Sequence, residues 1–329
     1  MAFRVGTVTH GDRTVHTLHD DVTGASASIL PSYGFNLYDL RLPLAGTPRP
    51  VLGTQPGWVE APRDAARNGT PILFPYPNRV RDGRYRFRGK DYQLPITLKP
   101  NAIHGFALDA PWDVVEHKAT ATEAYVTGRY QISKHSPEMQ EHWPSDAILQ
   151  VRYGLAGRRL TMDVTVTNPT ADALPYGFGI HPYFRLPFSP DGDPAQTRVI
   201  LPASKYWVLS DFLPTGERLA VEPRLDFRQG QAREGLKLDD VLTDLAFQGD
   251  ECVCRLVDLG LKAELQLRFD RNFRELVVYT PAEGDIISLE PYTQTTDAIN
   301  LQAKGVVGGL RVLGHGAQDA MRILLEAVG

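Results

Sequence analysis

Residues 148–167 read ILQVRYGLAGRRLTMDVTVT. Apolar and polar side chains alternate along 148–153 and again along 160–167, which predicts two β-strands that each bury one face. The segment 155–158 between them, LAGR, is short and contains Gly157, as is typical of a β-hairpin connection. This stretch therefore predicts two antiparallel neighbours in a sheet that is buried on one side.

The same period of two recurs along the chain, at residues 124–133, 261–269, 276–280 and 286–290. Glycine and proline, 29 and 25 of 329 residues, are abundant enough to indicate many turns and few long helices. We therefore expect an all-β protein, a large antiparallel β-sandwich with few or no long helices, in a single domain over 1–329.

Two segments have a less certain pattern. Residues 317–328, AQDAMRILLEAV, fit either a C-terminal helix or a strand through Met321 to Leu324. Asp82-Gly83 stands between an apolar run, 72–80, and the alternating segment 84–88, which predicts a second hairpin turn at this dipeptide.

The composition excludes several functional classes. Hydrophobic residues make up 42% of the chain and charged residues 22%, as in ordinary folded proteins. The 35 basic and 39 acidic residues give a net charge of −4, so we expect neither nucleic acid nor an anionic membrane as a partner. Cys252 and Cys254 are too close in a strand to form an unstrained disulfide. With no apolar leader and no long apolar run, we expect a cytoplasmic protein.

Familiar nucleotide, hydrolase and protease motifs do not occur in the sequence. It contains no Gly-x-Gly-x-x-Gly fingerprint and no phosphate-binding Gly-Lys-Ser/Thr loop. It also contains no Gly-x-Ser-x-Gly elbow and no His-Glu-x-x-His pair. The chemistry must therefore come from other polar residues.

Three candidate segments surround polar residues with aromatic side chains, glycine and proline. Residues 71–79, PILFPYPNR, end in Asn78 and Arg79, and a guanidinium there can donate to the hydroxyls of a ligand. Segments 101–106, NAIHGF, and 176–184, YGFGIHPYF, each hold one histidine, His104 and His181. The alternatives are an Arg79 paired with a surface carboxylate and histidines that are only core residues.

Two further segments carry carboxylates. In 285–293, DIISLEPYT, a strand would place Glu290 on the face of Ile286 and Ser288, opposite Ile287 and Leu289. In 238–242, LDDVL, the candidate is Asp239. The alternatives are a solvated glutamate at a strand end and an aspartate that caps a turn.

Taken together, these segments resemble the aldose 1-epimerase (galactose mutarotase) family over residues 34 to 313. The shared, ordered motifs are Asn78-Arg79-Val80, Gly83-x-Tyr85-x-Phe87-x-Gly89-x-x-Tyr92-x-Leu94, His104-Gly105-Phe106, His181-Pro182-Tyr183-Phe184, Leu238-Asp239-Asp240 and Leu289-Glu290-Pro291 with Thr296-Asp297-Ala298. The resemblance implies a β-supersandwich of the galactose mutarotase-like kind with an open sugar-binding cleft, and conversion between the α and β anomers of a free aldose.

The resemblance also implies residue roles. Glu290 would be the general base on the anomeric hydroxyl and His181 the general acid on the ring oxygen. The substrate-binding set would be Arg79, His104, Asp239, Asn78 and Tyr279. No metal and no organic cofactor are implied. To act as an acid near pH 7, His181 would need a pKa raised by a neighbouring anion or by hydrogen bonds of the site.

The sequence departs from the family pattern at two places, so the resemblance does not specify which sugar is the substrate. Proline and tyrosine precede Asn78-Arg79, and Gly-Phe follows His104, which indicates a divergent mutarotase-like branch. A hexose-6-phosphate epimerase is an alternative, because Arg81, Arg84, Arg86, Arg88 and Lys90 could bind a phosphate. Their alternation also fits a solvated strand edge, and we expect a neutral hexose.

Two alternatives come from other functional classes. A carbohydrate-binding protein without catalysis would use aromatic platforms such as Tyr76, Tyr183 and Tyr279. A metal site of the two histidines and Glu290 is disfavoured because His104 and His181 are 77 positions apart in the sequence. The expected partner is a small sugar, and both a monomer and a homodimer fit.

Overall fold

The structure is a computed structural model that describes residues 2–282 and 284–329. Its strands follow one another along the chain as β1 (Phe3–His10), β2 (Arg13–Asp20), β3 (Ser26–Leu30), β4 (Asn36–Leu44), β5 (Thr47–Pro50), β6 (Ile72–Leu73), β7 (Arg79–Val80), β8 (Arg84–Phe87), β9 (Lys90–Gln93), β10 (Ala102–Ile103), β11 (Asp113–Ala119), β12 (Ala124–Gln131), β13 (Ile148–Ala156), β14 (Arg159–Thr167), β15 (Leu174–Tyr176), β16 (Gly179–Ile180), β17 (Tyr183–Arg185), β18 (Thr197–Ile200), β19 (Ala203–Ser210), β20 (Leu213–Ala220), β21 (Asp239–Leu245), β22 (Glu251–Asp258), β23 (Ala263–Asp270), β24 (Glu275–Tyr279), β25 (Ile286–Tyr292), β26 (Arg311–Leu313) and β27 (Gln318–Val328).

Helices are short in the described part of the chain. The α-helices are α1 (Ile132–His135) and α2 (Ala298–Ala303), and the 3-10 turns are Ala65–Arg67, Arg81–Gly83, Pro137–His142 and Pro194–Gln196. No helix within residues 2–282 and 284–329 is long and apolar enough to cross a membrane.

Three sheets carry most of the strands. One runs β1-β2-β3-β4-β5, a second runs β11-β12-β13-β14-β27-β23-β22-β18, and the third runs β20-β19-β21-β24-β25-β16-β6 with β17 beside β25. Neighbouring strands in these sheets pair antiparallel. The predicted all-β, antiparallel fold class with few or no long helices is thereby confirmed.

The stretch 148–167 is the predicted hairpin. Strand β13 pairs with β14 from Ile148 opposite Thr167 to Ala156 opposite Arg159, and Gly157 in the turn has a φ of 60°. The ambiguous C-terminal segment is strand β27, which lies between β14 and β23. Its side chains alternate strictly, with Met321, Ile323, Leu325 and Ala327 buried.

The hairpin predicted at Asp82-Gly83 is wrong. Strand β7 pairs with β10, and β8 pairs with β9. Asp82 instead lies in a 3-10 turn, where its backbone N–H donates to Asn101 Oδ1 at 3.0 Å. The tight turn of this region is at Arg88-Gly89, where both residues have positive φ. The two strands that flank Asp82-Gly83, β7 and β8, therefore pair with other strands and not with each other.

The main core lies between the long sheets. Ile287 and Leu289 of β25 belong to the same buried cluster as Val164 of β14 and Ile323 of β27. Because side chains alternate along a strand, the other residues of β25 point to the opposite face of their sheet. That face carries the candidate site.

Candidate active site

Three adjacent strands place polar groups in rows on one sheet face. Asp239 of β21 pairs with Tyr279 of β24, which in turn pairs with Ser288 of β25. Glu290 occupies the next row, opposite Val277. Residues directly opposite each other in an antiparallel pair share a face, so these side chains lie together. Glu290 is only 1% exposed, which rules out the solvated strand-end alternative.

His181 lies directly against Glu290. It follows β16, where its backbone N–H donates to Pro71 O at 3.0 Å. The imidazole is buried, and its Nε2 lies 3.2 Å from Glu290 Oε1. Its other nitrogen, Nδ1, lies 2.9 Å from Ser288 Oγ. The ring stacks on Tyr183 with the centroids 4.7 Å apart, and the edge of Tyr279 approaches to 5.9 Å.

Asn78 and His104 hold each other at a neighbouring edge. His104 N–H donates to Asn78 O at 3.0 Å, and Asn78 N–H donates to His104 Nδ1 at 3.2 Å. Both residues have left-handed backbone, with φ of 57° and 69°, which is costly for side chains other than glycine and concentrates at functional sites. The His104 ring lies edge-to-face with His181, 5.6 Å between centroids.

Arg79 and Asp239 complete the predicted set. The side chain and backbone N–H of Arg79 both donate to Asn78 Oδ1 at 2.9 Å, and its guanidinium lies 4.8 Å from the ring centre of Phe212. Within the described residues, no carboxylate lies within 4 Å of that guanidinium. Burial raises the pKa of Asp239, and the charge of Arg79 partly opposes this rise.

Burial dominates the proton affinities of the site. It lowers the pKa of His181 to about 3 and that of His104 well below its usual range. It raises the pKa of Glu290 well above its usual range, although the Tyr292 hydroxyl donates to Glu290 Oε2 and opposes the rise. The raised pKa that His181 would need to be protonated near pH 7 is not present in the free protein, because desolvation lowers it. Desolvation thus favours the uncharged forms of both groups, in which the pair shares one proton between Oε1 and Nε2.

A cleft of about 510 Å³ opens beside this pair. Its walls include Tyr183 and Tyr279, which contact His181, together with Ile286, Arg67 and Arg185. The volume is within the range of about 300–1,000 Å³ that small-molecule sites occupy. His181 and Glu290 do not line the cleft themselves, and His181 adjoins it through its contacts with Tyr183 and Tyr279. A carboxyl–imidazole pair that a hydroxylated molecule reaches can exchange protons with that molecule.

Comparisons with known proteins agree with this fold. The sequence model of the family described as aldose 1-epimerase matches residues 15–316. The chain belongs to the aldose 1-epimerase family. It is 31% identical to the uncharacterized protein YphB of Escherichia coli over 160 residues, 48% of this chain and 49% of that protein. It is 27% identical to the galactose mutarotase of Mus musculus over 212 residues, 63% and 58% of the two chains. The chain spans about half the length of the curated relatives it matches.

Solved structures show the same fold. A galactose mutarotase-like protein from Clostridium acetobutylicum superposes with a TM-score of 0.87 at 21% identity, over 99% of this chain and 98% of the other. The galactose 1-epimerase of Lactobacillus acidophilus superposes with a TM-score of 0.76 at 18% identity, over 99% and 98%. The fold class predicted from the family resemblance is therefore the observed one.

Several residues of this family member were placed incorrectly or missed by the sequence analysis. Tyr76 is not an exposed platform, because it is buried and stacks on Trp143. Ser288 and Tyr292 were not assigned to the site, although they alternate with Glu290 along one strand and this spacing could have identified them. No sequence pattern could have assigned Phe212 to the site, because it contacts Arg79 from a distant part of the chain.

The basic segment 81–90 lies apart from the cleft. Arg84 and Arg86 are exposed and donate to Gln93 and Asp91 across the β8–β9 hairpin. Neither these two nor Arg81, Arg88 and Lys90 are among the residues that line the cleft. Their exposure and their pairing with Gln93 and Asp91 fit the solvated strand edge, whereas the arginines that do line the cleft are Arg67 and Arg185. In residues 2–282 and 284–329, no three His, Cys, Asp or Glu side chains are grouped as metal ligands.

Proposed function

We propose that this protein is an aldose 1-epimerase that interconverts the α and β anomers of a free hexose. The observation that carries the proposal is the buried 3.2 Å contact between Glu290 Oε1 and His181 Nε2, next to the two tyrosines that line the cleft. Anomer exchange needs one group that removes the C1 hydroxyl proton and one that protonates the ring oxygen. A carboxyl and an imidazole that share one proton supply both.

The reaction can be written without a metal or an organic cofactor. With the sugar bound, the shared proton moves from Glu290 Oε1 to His181 Nε2, which gives a carboxylate and an imidazolium. Glu290 then accepts the C1 hydroxyl proton while His181 donates its Nε2 proton to the ring oxygen, so the C1–ring oxygen bond breaks. This step leaves an open-chain aldehyde and returns the pair to its starting protonation. Rotation about C1–C2 and the reverse transfers close the ring as the other anomer.

The other site residues would orient the sugar. His104 Nδ1 accepts from Asn78 N–H, so neutral His104 carries its proton on Nε2 and can donate to a sugar hydroxyl. Arg79, held by Asn78, can donate to oxygens of the sugar, and Asp239 can accept from its hydroxyls. The Tyr279 ring offers an apolar surface to the sugar. Each positioned acid or base typically contributes about 10²- to 10⁴-fold to the rate.

Polarimetry of freshly dissolved α-D-glucose, α-D-galactose and α-D-glucose 6-phosphate tests the proposal. We expect relaxation of a neutral sugar to be faster than in buffer, and the acceleration to fall by at least about 10²-fold in Glu290→Gln. Glu251→Gln, the same change at a partly exposed glutamate of β22 that pairs with Arg268, is the matched control and should keep full activity.

The outcomes separate the alternatives. Full activity of Glu290→Gln would show that the base is misassigned, and acceleration of the phosphosugar alone would replace the neutral hexose by a hexose 6-phosphate. Saturable sugar binding by calorimetry without faster relaxation would instead identify a carbohydrate-binding protein without catalysis.

A further inference from the structure

Two hydroxyl groups flank the acid–base pair, and nothing so far gives them a role. We propose that Ser288 and Tyr292 are positioning residues that fix the tautomer of His181 and leave Oε1 as the basic oxygen of Glu290. The inference rests on the proposed function, because it concerns how the pair is prepared for proton transfer.

The strand itself places these groups. Residues 288–292 read SLEPY, and alternation along β25 brings Ser288, Glu290 and Tyr292 to one face with Leu289 and Pro291 on the other. All three site-facing side chains are buried, at 0%, 1% and 0% exposure. A buried hydroxyl must find a partner, and here each finds one in the pair.

Ser288 determines which imidazole nitrogen is free. Its Oγ lies 2.8 Å from the backbone oxygen of Pro182, and a carbonyl can only accept, so the Ser288 proton is committed there. Oγ can then act only as acceptor toward His181 Nδ1, 2.9 Å away. His181 therefore carries a proton on Nδ1, and Nε2 is the nitrogen that exchanges the proton with Glu290 Oε1.

Tyr292 determines which carboxyl oxygen is free. Its hydroxyl donates to Glu290 Oε2, while Oε1 faces His181. The Tyr292 ring is fixed in a small apolar cluster with Leu73, Trp207 and Val277. Gly179 opposite makes room for it, because a Cβ at that position would collide with the ring. The basicity of Oε2 is therefore reduced and Oε1 is left to act.

The charged and titratable groups around Glu290 come from several elements. Tyr292 is on its own strand, His181 and Tyr183 lie before and in β17, Asp239 begins β21, and Arg79 begins β7. The hydroxyls of Tyr292 and Ser288 both stabilise the carboxylate form of Glu290, and Tyr292, which donates to Oε2, has the larger effect. Its removal should therefore act on the titration of the pair rather than on folding alone.

The first test is Tyr292→Phe. We expect kcat to fall about tenfold with little change in KM, because a hydrogen bond to a charged group is lost. The alkaline limb of the pH profile should also move to higher pH, because the carboxylate is less stabilised. Tyr153→Phe is the matched control. The Tyr153 hydroxyl is buried without a hydrogen-bond partner, so kcat, KM and the alkaline limb should all stay at their native values. A lower kcat with an unmoved alkaline limb would show a merely structural role and overturn the assignment for Tyr292.

The second test reads the tautomer directly and needs no substrate. In ¹⁵N-histidine-labelled protein, with the His181 signals assigned by their loss in His181→Asn, we expect Nδ1 to be protonated. Ser288→Ala should raise the fraction with the proton on Nε2, and Ser288→Thr should restore the native pattern. An unprotonated Nδ1 in the native protein would overturn the assignment for Ser288, even where Ser288→Ala fails to fold. Because this spectrum is independent of turnover, it fails or succeeds separately from the proposed mutarotase activity.

Discussion

At the scale of single residues, the site depends on the desolvation of two ionisable groups. Glu290 and His181 are both nearly inaccessible to water, and burial favours the uncharged form of each. Transfer of the proton over 3.2 Å leaves the total charge unchanged but creates a buried ion pair, which the bound sugar must stabilise. A buried pair that keeps one proton over a wide pH range is suited to a reaction that returns this proton in every cycle.

This protonation predicts an unusual pH dependence. Since the pKa of His181 is lowered to about 3, a second proton joins the pair only in strong acid, and kcat/KM should hold well below pH 6.5, the usual region of histidine titration. Since the pKa of Glu290 is raised, activity should fall on the alkaline side as the shared proton is lost. The measurement is the rate of mutarotation, corrected for buffer, between pH 4.5 and 9. An acid limb near pH 6.5 would show that His181 titrates as an exposed imidazole.

At the scale of strands, a second buried carboxyl lies in the row next to Glu290. Glu275 of β24 pairs with Tyr292, accepts from Trp207 Nε1 at 3.0 Å and is fully buried. Burial raises its pKa to about 7, against which its hydrogen bonds and Arg274 act. Glu275 has a structural role in the sheet that carries the site. The free energy by which its buried carboxyl affects folding depends on pH.

The sign of this dependence follows from proton linkage. The folded protein holds the Glu275 proton more tightly than the unfolded chain, so stability is lost as pH rises from about 4.3 to about 7, by on the order of 3 kcal/mol. Glu275→Gln cannot titrate, and its free energy of unfolding should fall less over this range. Urea unfolding at pH 5 and pH 7.5 measures the difference, with Glu251→Gln as control. If the free energy of unfolding fell equally between pH 5 and pH 7.5 in the variant and the native protein, this explanation would be contradicted.

The C-terminal strand offers a test of its own. Leu325 and Leu324 are neighbours on β27, but Leu325 faces the core and Leu324 is half-buried on the other face. We expect Leu325→Ala to cost about 2–5 kcal/mol of stability and Leu324→Ala distinctly less. Chemical unfolding of the two variants checks this. Similar costs would indicate that the segment does not alternate as a strand.

Period-two patterning explains how much of the fold could be predicted. It predicted β13, β14 and the face of β25, because every second residue of a half-buried strand faces the core and is therefore apolar. The hairpin at Asp82-Gly83 failed, because a turn signal does not say which strands pair. Residues brought together by the family motifs, such as His104 and His181, do lie side by side. The lowered pKa of His181 was unpredictable from the sequence, because desolvation depends on everything packed around the group.

At the scale of the whole molecule, the sheets separate two tasks. One face of the third sheet, through Ile287 and Leu289, joins the main core, and the other carries Glu290 next to His181. A rigid, packed backing of this kind holds an acid–base pair within hydrogen-bond distance without a ligand to organise it. The single domain, the cytoplasmic location and the choice between monomer and homodimer stay predictions.

The central claim is that the Glu290–His181 pair catalyses anomer exchange. Exchange spectroscopy by NMR at equilibrium measures it most directly, because the α and β signals of D-glucose or D-galactose report interconversion with no net reaction. We predict exchange faster than in buffer with the native protein and exchange at the buffer rate with Glu290→Gln. Exchange no faster than in buffer with the native protein, across both sugars and their 6-phosphates, would contradict the account.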